Sequence, residues 1–159
     1  MELLPFFEWA ETSFLGYIGK TYGGVYATFG QSIHLMSLAV LGGSVLVTDL
    51  RLLGVIMKDV PSEVVADQAH KWFRIALAFI LATGIFMAAA VAQRMYYNDF
   101  FWAKMSALLV GIIFVFAIKR PLLKGNHADI QPWLLKLVAV ASILVWFSVA
   151  ATGRWIGFS

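Results

Sequence analysis

Residues 21–48 read TYGGVYATFGQSIHLMSLAVLGGSVLVT and carry no charged side chain. A run this long and this apolar crosses a bilayer as a helix, because about 20 residues of helix span the hydrocarbon core. Asp49 and Arg51 mark its exit. Three further stretches of the same kind follow. Ile75 to Gln93 ends at Arg94. Phe100 to Ile118 contains one charge, Lys104, and is stopped by Lys119, Arg120 and Pro121. Trp133 to Ala151 ends in Gly153, Arg154 and Trp155. Between them, Lys58 to Arg74 is polar and holds a helix start at Pro61, Ser62 and Glu63. Tyr96 to Asp99 makes a turn, and a polar loop containing His127 follows Lys124.

The rest of the chain agrees with a bilayer solvent. Of 159 residues, 61% are hydrophobic and 13% charged, and the mean hydropathy is +0.82. Ordinary soluble domains are about a quarter charged, so disorder and a water-soluble fold are excluded. The fold expected is an all-α integral membrane bundle of four transmembrane helices forming a single domain over 1–159. The spans cover about 24–48, 74–94, 100–118 and 133–153. A short interfacial helix over 1–20 precedes them, with Phe7, Ala10, Phe14 and Tyr17 on one face and Glu8 and Glu11 toward water. The segment lacks the basic start and small-residue cleavage site of a signal peptide. No cysteine is present, which excludes disulfides, thiolate metal sites and cysteine nucleophiles. The net charge of +3 is no sign of nucleic acid, since Lys and Arg encode topology in a membrane protein.

Lys20, Arg94, Lys104 and Arg154 fall on the side of the termini. Arg51, Lys58, Lys71, Arg74, Lys119, Arg120, Lys124 and Lys136 fall on the far side. Eight against four places the far side in the cytoplasm and both termini in the periplasm of a bacterial inner membrane. Trp72 and Trp133 mark the far boundary, and Tyr96, Tyr97, Trp102 and Trp155 the near one. Gly84, Ala88 and Ala92 form a small-residue face for close helix approach, and Lys104, Ala107 and Gly111 share a face of the third span.

Gly23, Ala27, Gly30, His34, Ser37, Leu41, Ser44, Thr48 and Arg51 follow one another at spacings of four and three. This single face is small or polar except for Leu41, so it looks into the bundle rather than at lipid. An ionisable residue inside a span points to function, and neutral imidazole is a common axial ligand of haem iron. His34 is therefore the candidate cofactor ligand. Its other readings are hydrogen-bonding glue between helices and a proton or substrate path. Lys104 either snorkels to the headgroups or faces inward beside a cofactor held by His34. With Arg94 and Arg154 at the same edge, it would pair with haem propionates. His70 and His127 lie near or beyond the far edge among charges, as solvated interfacial histidines. No HxxxH or HExxH spacing, phosphate loop or serine–histidine–acid set is present. Asp49 needs a partner from another turn or another helix.

Residues 33–54, IHLMSLAVLGGSVLVTDLRLLG, resemble the first-helix signature of a family of small, uncharacterised bacterial four-helix membrane proteins. The resemblance continues in TGIFMAAAVAQ (83–93), YNDFFWAK (97–104) and WFSVAATGRWIGF (146–158). It implies a four-helix bundle and transfers no catalytic residue. A fainter similarity is to the copper-resistance D-type proteins and the four-helix membrane protoporphyrinogen oxidases. His34 and the Trp102-Ala103-Lys104 stretch match those in kind, and the oxidase resemblance implies haem b near such a pair.

The function expected is a small membrane b-type haem protein in electron transfer, with His34 on the iron and Lys104, Arg94 and Arg154 near the propionates. Met36, Met87 or Met105 could supply a second ligand, or the iron could be five-coordinate. The alternative is a non-catalytic accessory subunit of a larger membrane complex. Expected partners are the lipid bilayer and either a second copy of the chain or a membrane complex. A copper or proton path through His34, Ser37 and Ser44 ranks below both.

Overall fold

The computed structural model describes residues 3–124 and 130–158. Among these residues the chain is helical and without strands. Two short helices, α1 (Leu4–Thr12) and α2 (Phe14–Thr21), lead through π-helical turns at Tyr26–Gln31 into α3 (Ser32–Leu52). Then come α4 (Ser62–Ala90), α5 (Ala92–Tyr96), α6 (Asp99–Ile113) and α7 (Pro132–Trp155). A π-helical segment, Phe114–Lys119, and one further turn, Arg120–Leu122, extend α6. Four helices are long and apolar enough to cross a membrane: Thr28–Leu52, Ser62–Ala90, Asp99–Leu122 and Pro132–Phe158.

Local chemistry explains where these elements begin and end. At the end of α3, Gly54 takes φ +75°. Its N–H bonds to the Arg51 carbonyl, and the Val55 N–H reaches back to Leu50. That is a Schellman closure, which needs a left-handed residue and so favours glycine. The glycine ending DLRLLG is therefore a helix stop. Asn98 caps α6 by accepting from the Phe101 N–H at 3.2 Å, and Pro132 starts α7 where no amide donor is needed.

Three details differ from the sequence expectation. The interfacial helix expected over 1–20 is broken at Ser13, which is extended (ψ 167°) and offers its hydroxyl to the Gly16 N–H. Of the expected face Phe7 packs inward, on Tyr96, Phe101 and Trp102, and Ala10 is half-buried, while Phe14 and Tyr17 are exposed. Glu11 also turns inward. It pairs with Lys20 at 2.6 Å and accepts from the Gln93 N–H at 2.7 Å. That amide is free because the helix breaks at Val91 (φ −138°), leaving the first donors of α5 unsatisfied. Finally, Pro121 does not stop the third span: the helix runs on to Leu122.

The bundle is held mainly by α3 against α4, α6 against α7, and α3 against α7. Close contact needs small residues. A β-carbon on Gly30 would stand 3.2 Å from the Phe86 ring, and one on Gly111 would stand 3.3 Å from Trp146 and Val145. The Lys104–Ala107–Gly111 face therefore meets α7. Helices α4 and α6 are not among the closely packed pairs; the third span meets α4 through its π-helical segment, with Phe116 against Phe73 and His70. Leu41, Val45, Phe73, Leu77, Ile80, Leu108, Val115 and Trp146 belong to the central core. Leu52, Ala66, Leu123 and Ala139 form a second apolar cluster nearer the far side.

Candidate functional site

From Gly30 onward the small and polar stripe faces the interior: Gly30, Ser37, Leu41, Ser44 and Thr48 are buried, whereas Gly23 at its start is exposed and the Ala27 side chain lies outside the described residues. Its hydroxyls satisfy themselves locally. Ser37 donates to the Ile33 carbonyl, Ser44 to Leu41 and Thr48 to Ser44, at 2.7, 2.7 and 2.9 Å. These bonds leave the oxygens as acceptors and make the stripe compatible with an apolar interior.

His34 is half-buried on this stripe. Its Nδ1 lies 2.8 Å from the Thr83 hydroxyl oxygen on α4. The Thr83 hydroxyl also lies 2.6 Å from the Phe79 carbonyl. With its proton on that carbonyl, Thr83 accepts from the His34 Nδ1–H, and Nε2 carries the lone pair. Among the described residues Nε2 has no hydrogen-bond partner. A second-helix group that fixes the tautomer and frees the other nitrogen is the usual support of a metal-ligating histidine. Gly84 lies alongside, where a β-carbon would stand 3.5 Å from the His34 Cε1.

Lys104 is half-buried on α6, and its ammonium is close enough to act electrostatically on His34. The side chain lies across Gly153 of α7, where a β-carbon would stand 3.3 Å from Nζ. Among the described residues Lys104 has neither an acidic partner nor a hydrogen bond. The structure thus brings His34 and Lys104 to one region of the bundle on the termini side. Arg94 and Arg154 are on the same side but exposed, and the Arg154 guanidinium lies 4.7 Å above the Phe158 ring. Met36 points outward at 70% exposure, Met105 packs beside the central core, and Met87 lies near Gly30. Among the described residues no three histidine or acidic side chains converge as a metal site.

A second polar cluster sits toward the far side, and the sequence reading did not assemble it. Asp49 of α3 is fully buried. Lys119, at the end of the π-helical segment, donates to Asp49 Oδ1 at 2.5 Å and to the Ser142 hydroxyl of α7 at 2.9 Å. By its place before Arg120 and Pro121, Lys119 has the local sequence of a span boundary. The available signal was spacing: Leu108, Gly111, Val115 and Lys119 recur at three and four, and all four are buried. Beside this cluster a cavity of about 30 Å³ is bordered by Ser44, Thr48, His70, Lys119 and Arg120, among others. Arg120 pairs with Asp67 at 2.5 Å. His70 is held between the rings of Phe73 and Phe116, away from the His34 region. His127 lies outside the described residues.

No curated protein and no solved structure matches the chain. A family model described as a family of unknown function, DUF6644, matches residues 6–159.

Proposed function

The chain belongs to this family of unknown function, and for this member we propose a small integral membrane b-type haem protein that takes part in electron transfer. The observation that supports it most is that His34, its Nε2 without a hydrogen-bond partner, lies within electrostatic reach of Lys104, a half-buried cation without an acidic partner among the described residues. A cation inside a membrane span is expensive unless an anion meets it. Haem propionates would supply that anion, and the imidazole would supply the iron ligand.

The residues present fit a group held by one histidine. Thr83 fixes the tautomer, Gly84 keeps bulk away from the imidazole edge, and Lys104 offers the charge. Arg94 and Arg154 stand farther out, where propionates would meet solvent. When bound, haem b would supply a one-electron ferric–ferrous couple. The protein's part is to orient His34 through Thr83, hold compensating charge at Lys104, and keep the site in an apolar surround. His70 does not contribute a second ligand in this reading; Met87, near Gly30, or Met105, beside the central core, would do so, or the iron would be five-coordinate.

The Lys and Arg split, eight to four, supports a bacterial inner-membrane protein with both termini periplasmic. The His34 region would then lie in the periplasmic half, facing a periplasmic or membrane redox partner. Haem content per chain in protein purified from haem-sufficient cells tests the proposal. Near one haem per chain is the expected result. Trace haem overturns it and leaves the non-catalytic accessory subunit, assembled with copies of itself or a larger membrane complex.

A further inference from the structure

The far-side cluster has no part in the haem reading, and its geometry is that of a proton-handling group. Lys119 places two of its three ammonium protons, on Asp49 Oδ1 and on Ser142. The third has no partner among the described residues, and Lys119 forms part of the cavity wall. Asp49 Oδ2 is buried with no donor at hydrogen-bond distance among the described residues, although the Ser142 hydroxyl stands near enough to the carboxyl to act on it. An anionic oxygen without a donor is costly in an apolar interior, and a proton on the carboxyl removes that cost.

The cluster lies between two apolar groups, the central core with Val45, Phe73 and Val115 and the far-side cluster with Ala66 and Leu123. Between them lies the cavity of about 30 Å³, enough for about one water. Ser44 and Thr48 offer acceptor oxygens there, because their own protons are donated to the backbone. Among the residues bordering it, only His70 and Arg120 are partly exposed, so the cavity opens between them.

We infer that Asp49 and Lys119 form a buried proton-exchange site loaded from the far-side aqueous phase through this cavity. Uptake has two parts. An N–H bond of the ammonium breaks as its proton passes to the Asp49 carboxylate, forming an O–H bond. The freed amine pair then takes a proton from cavity water, which bulk water resupplies. The product is a carboxylic acid beside an ammonium, with one proton and one positive charge more than the ion pair. No electrons change hands, and release is the reverse. The charged and titratable groups facing the cluster are accounted for on each helix. Arg120 is tied to Asp67, His70 is at the cavity mouth, and α7 presents the neutral Ser142. Arg51 turns away to the Val60 and Lys58 carbonyls.

Infrared difference spectra between acidic and neutral pH, on the full chain in phosphatidylcholine vesicles, test this without reference to haem. The expected result is a carboxylic C=O band of a buried acid that grows on acidification, shifts in Ser142→Ala and disappears in Asp49→Asn. Should Asp49→Asn fail to fold, a hydrophobic carbodiimide, which reacts with protonated carboxyls, decides on the wild type. Mass mapping should find Asp49 modified, more so at acidic pH, and several-fold more slowly in Ala69→Val, which narrows the cavity. A wild type with neither band nor modification at Asp49, at any pH where it stays folded, would show a permanently ionised staple and overturn the inference.

Discussion

Asp49 and Lys119 are seventy residues apart in sequence and 2.5 Å apart in space, joining α3 to the end of the third span inside the bundle. Both are buried, at 0% and 6% exposure. Breaking such a pair leaves one uncompensated buried charge and costs about 3–5 kcal/mol, whereas replacing both partners by apolar residues is often neutral. Asp49→Leu and Lys119→Met should therefore each lower the thermal midpoint sharply in detergent, and the double variant should recover most of the loss. Additive losses would mean that the pair is not what joins the two spans.

Gly84 faces the His34 ring at ordinary contact distance for a β-carbon, 3.5 Å. Gly84→Ala should be neutral or slightly stabilising, because alanine favours the helix by about 0.5–1 kcal/mol. Gly84→Leu should push the imidazole aside and cost about 1–3 kcal/mol by overpacking. Thermal melts of the two variants check this, and a Leu variant melting like the parent would place this face against lipid.

Much of the bundle was legible because burial in a membrane leaves a periodic trace. The Gly30–Ser37–Ser44–Thr48 stripe could face only inward, and it does. Three features escape such a reading. Ser13 reads as one more polar residue in an amphipathic segment, yet its capping hydroxyl splits the helix. Val91 is β-branched and apolar, and nothing in its type announces the break that frees the Gln93 amide for Glu11. Lys119 beside Pro121 carries the local chemistry of a helix end, and only the buried face behind it assigns it to the interior. For the candidate site, spacing identified His34 but could not supply Thr83, because its role depends on the juxtaposition of two helices.

The contact of Glu11 with Lys20 and the Gln93 amide sets a pH limit on the docking of α1 and α2. The Lys20 ammonium, then the amide, hold the Glu11 carboxyl below the ordinary glutamate value of 4.5. A depressed carboxyl contributes stability that is present above 4.5 and is lost as pH falls through the lower folded value. Hydrogen exchange of the Phe14–Thr21 amides should accelerate under those acidic conditions. In Glu11→Gln it should already be faster at neutral pH and respond little to acid. Exchange that is independent of pH in the wild type, after correction for intrinsic rates, would contradict this.

Lys104 is expected to tune the cofactor rather than bind its iron. Removing a nearby cation favours the ferric state, so Lys104→Met should lower the haem midpoint potential or weaken haem retention, and Lys104→Arg should preserve both. Redox titration of the purified variants reads this directly. An unchanged potential together with full haem occupancy in Lys104→Met would assign the ammonium to the headgroups.

The optical spectrum of purified protein with and without the His34 imidazole bears on the central claim most directly. The wild type should show a Soret band and sharp α and β bands on reduction. His34→Ala should insert normally, since insertion depends on the apolar spans, and should lack those bands, while His70→Ala keeps them. A haem-replete His34→Ala protein would contradict the account, and loss of the spectrum on His70→Ala would move the haem to the far side.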